Sequence, residues 1–384
     1  MNLESPIRDA VDRAIGDGLV EAAAIRVSTG NGLIANWARG ETGGVAVTED
    51  SVWWLASLTK PVVAMALLAC VDDSMVSLDD RVADLVSGFP ALPLVRRVRA
   101  GAAVVPAPPF SAEDPNEWIV ERGHTPLTLR HLVTGTSGLQ TLFVPNAAVP
   151  PVIPGSTLAG FVDAVAAAPL DFEPGTRWHY SNTTAFEVIA RIIEVVSGRD
   201  VRTLVRERIL EPIGASTASF GISDAHAART LPVPPFLVGH PMVDGSFPSG
   251  SAGMFATAED VERVVKLLLS GEGEDGVRVL PEDLVAGATS NQIGELRLGG
   301  LTPELYGGLH DRRDPRFAFG YGVITVQGTT EQGIPVGSFG WDGIGTRRFW
   351  GIPSRGVALV MLVEGAGAAA LHRQIEGIVM ASTS

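Results

Sequence analysis

The amino-acid sequence predicts an α/β protein whose sheet domain is split, with strands near both ends of the chain and a mainly helical region inserted between them. Three observations carry this reading. Two apolar stretches joined by a Gly-rich turn open the chain, strand-like segments crowd the C-terminal part, and the middle third bears helix start and stop signals. At 384 residues the chain has room for two folding units or one large composite. The expected division gives residues 1–78 and 255–384 to a discontinuous sheet domain and 79–254 to a mainly helical domain with overlying loops.

The elements follow in order. Residues 22–28 and 33–39 cluster apolar side chains around Thr29-Gly30-Asn31-Gly32, a hairpin signal. From Ser57 to about Val71, the residues Val62, Val63, Ala64, Met65, Leu67 and Leu68 leave no polar face, so this helix is expected to be buried on most sides. Residues 77–155 read as irregular, with 106–115 and 145–154 as surface-wrapping loops of the kind that line substrate pockets. A helix over 183–196 stops at Ser197-Gly198, and another over 201–209 ends before Pro212. Thr257-Ala258-Glu259-Asp260 caps a helix that runs to Leu269. Strands are expected at 317–326, 336–339, 347–352 and 357–363, followed by an Ala-rich terminal helix from about Ala368. No internal repeat is present.

Composition excludes several classes. Hydrophobic residues make up 46% and charged residues 19%, with 44 Gly and 26 Pro dispersed, which fits neither disorder, collagen nor coiled coil. A formal net charge of −14 repels phosphate backbones and anionic membrane surfaces, so neither nucleic acid nor membrane is an expected partner. The first residues lack a basic stretch followed by an apolar run, and the apolar segment 61–71 is too short to span a bilayer, so a cytoplasmic location is expected. Cys70 is the single cysteine, expected in the core and without a disulfide. The seven histidines form no HxH or HExxH pattern, the glycines at 250–253 precede no Lys-Ser/Thr, and no Gly-x-Ser-x-Gly elbow occurs. No metal and no cofactor is therefore expected, and the α/β-hydrolase mechanism is disfavoured.

Ser57-Leu58-Thr59-Lys60 stands immediately ahead of Pro61. Proline is tolerated only in the first helical turn, so the helix must begin at or very near Ser57. Lys60, three residues on, then projects from nearly the same face as the serine hydroxyl. Burial and the positive helix end both disfavour an ammonium, which lets the amine accept the serine proton, while the unpaired Ser57 N–H suits an oxyanion. The plainer reading is a helix cap followed by a surface lysine. Against it, Lys60 is one of only two lysines, with Lys266, and its helical neighbours are apolar almost throughout.

Tyr180-Ser181-Asn182 follows the turn Glu173-Pro174-Gly175-Thr176 and enters the helix over 183–196. A tyrosine sharing its proton with Lys60 suits both activation of a serine and protonation of a leaving group; the alternative is a buried hydroxyl that caps the next helix. His179, adjoining it, reads as structural. A third segment, Gly340-Trp341-Asp342-Gly343-Ile344-Gly345-Thr346, follows the strand expected at 336–339. Its glycines permit close backbone approach, as at an oxyanion site on a strand edge, or a tight hairpin turn.

In this order the three segments resemble the signature of the serine β-lactamase and penicillin-binding-protein superfamily, which pairs Ser-x-x-Lys with Tyr- or Ser-x-Asn and a Lys-Thr-Gly-type strand. The resemblance is to the class C β-lactamase-like branch, and within it to the family VIII carboxylesterases. Residues 129–139, 172–175, 248–254 and 339–341 look similar to that branch, and the likeness spans roughly 20 to 365. It implies a β-lactamase/transpeptidase-like fold, with an antiparallel sheet flanked by helices and an inserted helical domain. It also implies cleavage of a small-molecule ester through an acyl-Ser57 intermediate, with Lys60 and Tyr180 as general base and acid. Asn182, Trp341, Gly343 and Ile344 would meet the substrate, and the oxyanion would sit between the N–H groups of Ser57 and Ile344. Trp341 departs from the cationic Lys or His of lactamases and transpeptidases and resembles the esterases. Arg347 and Arg348 lie close enough in sequence to supply the missing cation. β-Lactamase, amide-hydrolase and acyltransferase activities on the same fold are the alternatives, and a binding protein on an inactive scaffold is a third class.

Overall fold

A computed structural model describes residues 3–98, 118–140, 149–181, 183–299, 314–344 and 347–383. The chain opens with helix α1 (Glu4–Gly16), which the sequence reading missed although Ile7, Ala10, Val11 and Ala14 bury one stripe at helical spacing. The expected hairpin follows as β1 (Ala22–Thr29) and β2 (Gly32–Thr42), extended by β3 (Val45–Ala46). A short β4 (Trp53–Trp54) leads through a 3₁₀ turn, Ala56–Leu58, into α2 (Thr59–Asp72). Every residue of α2 from Thr59 to Cys70 is buried, as the lack of a polar face predicts.

The region read as irregular holds more structure than expected. It contains α3 (Val82–Leu85), an antiparallel hairpin of β5 (Leu94–Val98) and β6 (Trp118–Arg122), and α4 (Leu129–Val133), whose Thr128 forms a capping box with His131. The loop 106–115 and residues 145–148 of the second loop lie outside the described residues. Then come α5 (Leu158–Ala166), α6 (Thr184–Ser197), which stops at Gly198 with φ 65°, and α7 (Val201–Val205), which continues as a π-turn over Arg206–Leu210. A small sheet pairs β4 with β8 (Met254–Ala256), and β8 with β7 (Ser219–Phe220). Thr257 and Asp260 form the expected capping box on α8 (Ala258–Ser270), followed by α9 (Glu282–Ala288).

The C-terminal strands complete the main sheet, with two corrections. Residues 317–326 are a hairpin, β9 (Phe317–Phe319) and β10 (Ile324–Val326), because the intervening Gly322 takes φ 79° and turns the chain. The next strand, β11, spans Phe339–Gly343, so Gly340 to Gly343 lie within the strand rather than after it, and Val336 is exposed. Then β12 (Arg347–Ile352), β13 (Val357–Glu364) and α10 (Ala368–Ser382) fall as expected. The sheet order is β3-β2-β1-β13-β12-β11-β10-β9, antiparallel throughout, with Ile25 opposite Met361, so the two ends of the chain are joined edge to edge. Alternation along β12 separates its faces. Phe349 lines a small cavity together with Val62 of α2 and Val261 of α8, whereas Trp350 donates to Glu376 of α10. Among the described residues no helix is long and apolar enough to cross a membrane.

Candidate active site

Ser57 is held on the α2 and α8 side of the sheet by contacts on both sides of it in sequence. Strand β4 pairs with β8, and Leu55 N–H donates to Met254 O at 2.9 Å. Thr59 Oγ1 donates to Ala56 O (2.7 Å) and accepts from Met254 N–H (3.1 Å), fixing the helix start. Between these anchors Ala56 takes φ 48°, a left-handed backbone that is strained for alanine and lifts the next residue out of the helical path. Ser57 is half-buried at this corner, and Pro61 lies two residues inside α2, consistent with the start inferred from sequence.

Lys60 does lie beside Ser57. Its Nζ donates to Ser57 Oγ at 3.1 Å and to the Ser251 carbonyl at 2.9 Å, and the side chain is only 1% exposed. Desolvation lowers its pKa from 10.5 to about 7, against the opposing charge of Glu187. The Tyr180 hydroxyl donates to Ser57 Oγ at 2.6 Å, and Lys60 Nζ stands 5.1 Å from the tyrosine ring centroid. In the first turn of α6, Ala185 N–H donates to Ser181 Oγ at 3.1 Å, and the tyrosine hydroxyl faces Ser57 instead. His179 is half-buried, its backbone N–H bonded to Gly135 O, and desolvation lowers the pKa of its ring.

Gly343 brings β11 against the serine corner. A Cβ there would stand 2.7 Å from Leu55 O, closer than side chains tolerate, so only glycine admits this approach. Ile344 follows the strand and is 37% exposed. Asn182 lies outside the described residues. The expectation that Trp341 offers its face to a substrate needs correction: the indole is 0% exposed, with ring contacts to Tyr180 (5.3 Å) and Phe319 (5.2 Å). It packs behind the tyrosine, and Trp178 stacks on that ring from another side at 6.4 Å. The two arginines do not replace the missing cation. Arg347 pairs with Glu364 (2.7 Å) and lies over Trp53, while Arg348, on the opposite face, grips Asp342 (2.9 and 3.1 Å) and Glu376 (2.9 Å).

Two contributors escaped the sequence reading. Ser251 supplies a carbonyl to Lys60, and Glu187 collects hydrogen bonds from the turn that carries this carbonyl; in sequence, segment 248–254 carries only a family resemblance. Among the described residues no group of three or more His, Cys, Asp or Glu is placed to hold a metal. Chemically, Ser57 Oγ lies between an amine that titrates near neutrality and a phenol, an arrangement able to take a proton from the serine and deliver it elsewhere.

Comparison with known proteins bears on the family and the fold. Esterase EstB of Burkholderia gladioli is 26% identical over 375 residues, covering 88% of this chain and 84% of that protein. The solved structure of EstCE1, described as a hydrolase with promiscuous acyltransferase activity, superposes with a TM-score of 0.73 at 18% identity over 98% of both chains. Unliganded simvastatin synthase (LovD) from Aspergillus terreus also gives a TM-score of 0.73, at 20% identity over 98% of this chain and 97% of that one. The family model described as Beta-lactamase matches residues 7–378, nearly the whole chain, and with the split antiparallel sheet and its flanking helices it establishes that this protein belongs to the β-lactamase family.

Proposed function

We propose that this serine hydrolase of β-lactamase fold is a carboxylesterase acting on neutral small-molecule esters through an acyl-Ser57 intermediate, as the family VIII carboxylesterases do. The observation that carries the reading is Ser57 Oγ held at once by Lys60 Nζ and the Tyr180 hydroxyl. When Lys60 is neutral, the contact to Ser57 reverses and the hydroxyl donates to the amine. Attack on the ester carbonyl passes the serine proton to Nζ. Tyr180 gives its proton to the departing alkoxide and is reprotonated from Lys60, and water reverses the sequence to release the acid. The N–H groups of Ser57 and Ile344 receive the oxyanion, and Asn182 takes the substrate-side role that the family resemblance implies.

Restriction to neutral esters rests on charge. A cation meeting a substrate carboxylate contributes about 1.5–3 kcal/mol through a charge-assisted hydrogen bond. Trp341 stands where relatives that process penicillins place that cation, and Arg347 and Arg348 are engaged by carboxylates of the sheet and α10. Similarity to esterase EstB supports ester hydrolysis.

The test is labelling by a fluorophosphonate, located by mass spectrometry and compared with Ser57→Ala, together with kcat/KM for p-nitrophenyl acetate, p-nitrophenyl butyrate and nitrocefin. Labelling of Ser57 alone and preference for the esters are expected. More than a few per cent of turnover in Ser57→Ala, or a higher kcat/KM for nitrocefin, refutes the assignment.

A further inference from the structure

Glu187 is a fully buried carboxylate in the first turn of α6 to which the catalytic scheme above gives no part. Its Oε1 accepts from the hydroxyls of Ser249 and Ser251, both at 2.6 Å, and its Oε2 from Gly250 N–H at 2.6 Å. Ser249 Oγ in turn accepts from Ala252 N–H at 3.2 Å, which leaves its proton for the carboxylate. Burial pushes the Glu187 carboxyl above the usual carboxylate range, while the three donors and the Lys60 charge oppose that rise; three donors on two oxygens suit an ionised carboxylate, since a protonated oxygen would need an acceptor. Gly250 lets the turn dock this closely: a Cβ there would stand 2.4 Å from Phe186 O. The same turn presents the Ser251 carbonyl that holds Lys60 Nζ at 2.9 Å.

Resting on the esterase reading, we propose that Glu187 is a positioning residue with two linked effects on Lys60: it fixes the Ser249–Gly253 turn whose Ser251 carbonyl grips the amine, and it is the counter-charge for the buried ammonium formed when Ser57 gives up its proton. The step balances without further reactants. The Ser57 Oγ proton passes to the lone pair of Nζ as the bond from Oγ to the acyl carbon forms, the Tyr180 proton goes to the leaving alkoxide, and the ammonium proton restores Tyr180. During this interval a cation exists in a site closed to solvent, where an unpaired charge is costly and a fixed carboxylate offsets it. Among the described residues, the titratable or charged groups reaching Lys60 are Tyr180, from the segment ahead of α6, and Glu187; the 3₁₀ turn and the 249–253 turn contribute the neutral Ser57 and Ser251. The rings of Tyr180 and Phe186 lie 5.1 and 5.8 Å from Nζ.

Two readouts test this. With only two lysines in the chain, [ε-¹³C]lysine labelling gives two signals, and the Lys60→Arg variant identifies which is Lys60. Glu187→Gln removes the charge and keeps the shape. The Lys60 signal and the acid limb of kcat/KM on p-nitrophenyl butyrate should both move to lower pH by about one unit or more, with the plateau falling tenfold or more. Glu187→Asp should lie between wild type and Gln in both. A carboxylate that only supports the fold would lower the plateau and leave the limb and the signal in place, and that result overturns the proposal. If Glu187→Gln does not fold, Glu187→Asp decides: a limb moved to lower pH supports the proposal and an unmoved one overturns it. Wild-type protein that neither cleaves esters nor is labelled at Ser57 would refute the esterase reading instead, while the lysine titration would still report on Glu187.

Discussion

Tyr180 and Ser57, 123 residues apart in sequence, are joined by a 2.6 Å hydrogen bond from the phenol to Oγ, shorter than the 3.1 Å contact that Lys60 makes from one helical turn away. The tyrosine ring is braced as well, with Trp178 stacked on it and Trp341 in a T-shaped contact. A phenol immobilised in this way needs no reorganisation when the serine proton moves.

Lys60→Ala and Tyr180→Phe should each lower kcat/KM for ester substrates by about 10²–10⁴, the range of a positioned acid or base. Because both act on one shared proton, the double variant should lose much less than the product of the single losses. Stopped-flow measurement of acylation in all four proteins checks this; multiplicative losses would contradict the shared-proton scheme.

The pH dependence follows from Lys60. With its pKa lowered by burial to about 7, the amine is protonated and inactive as a base below that value. The value of kcat/KM for a neutral ester should therefore fall about tenfold per pH unit below roughly 7 and level off above it. For stability the sign is as follows. Between about 7 and 10.5 the unfolded lysine holds a proton that the native one lacks, so stability attributable to this residue rises with pH across that window, and the cost of burying it is full below 7. Thermal melts of wild type and Lys60→Met from pH 7 to 10 should converge in the direction this predicts.

Gly343→Ala places a methyl group 2.7 Å from Leu55 O and 3.3 Å from Ala56 Cβ, so β11 must retreat from the serine corner. Turnover should drop by at least about tenfold, since a small misplacement of catalytic groups is enough for such losses. The far-UV circular dichroism should stay native. Unchanged kcat/KM would show that the close approach has no catalytic value.

Trp341→Ala removes a wholly buried indole and should lower unfolding free energy by about 3–5 kcal/mol, measured by urea denaturation. At temperatures where the variant remains folded, kcat should fall more than KM changes, because Tyr180 loses its edge contact while no direct substrate contact is lost. Trp341→Phe should recover part of both. A change confined to KM would show instead that the indole meets the substrate.

What the sequence determined by itself was local. The chance-resistant pairing of Ser57 with Lys60 was legible because Pro61 dictates where the helix starts and three residues bring two side chains onto one face. Amphipathic spacing, caps and turn glycines likewise located α6, α8 and the strands from β12 onward, and the stripe Ile7, Ala10, Val11 and Ala14 carries the same kind of local signal for α1. The tertiary structure decided what depends on long-range packing. Whether the Tyr180 hydroxyl capped α6 or faced Ser57, whether Arg347 and Arg348 were available, and whether Trp341 was a surface or a support were open, because each answer lies in a partner far along the chain. Glu187 is the clearest case. In sequence it is one acidic residue among 43 Asp and Glu, and only the docking of the Ser249–Gly253 turn on α6 places it among three donors, beside the lysine whose proton it governs.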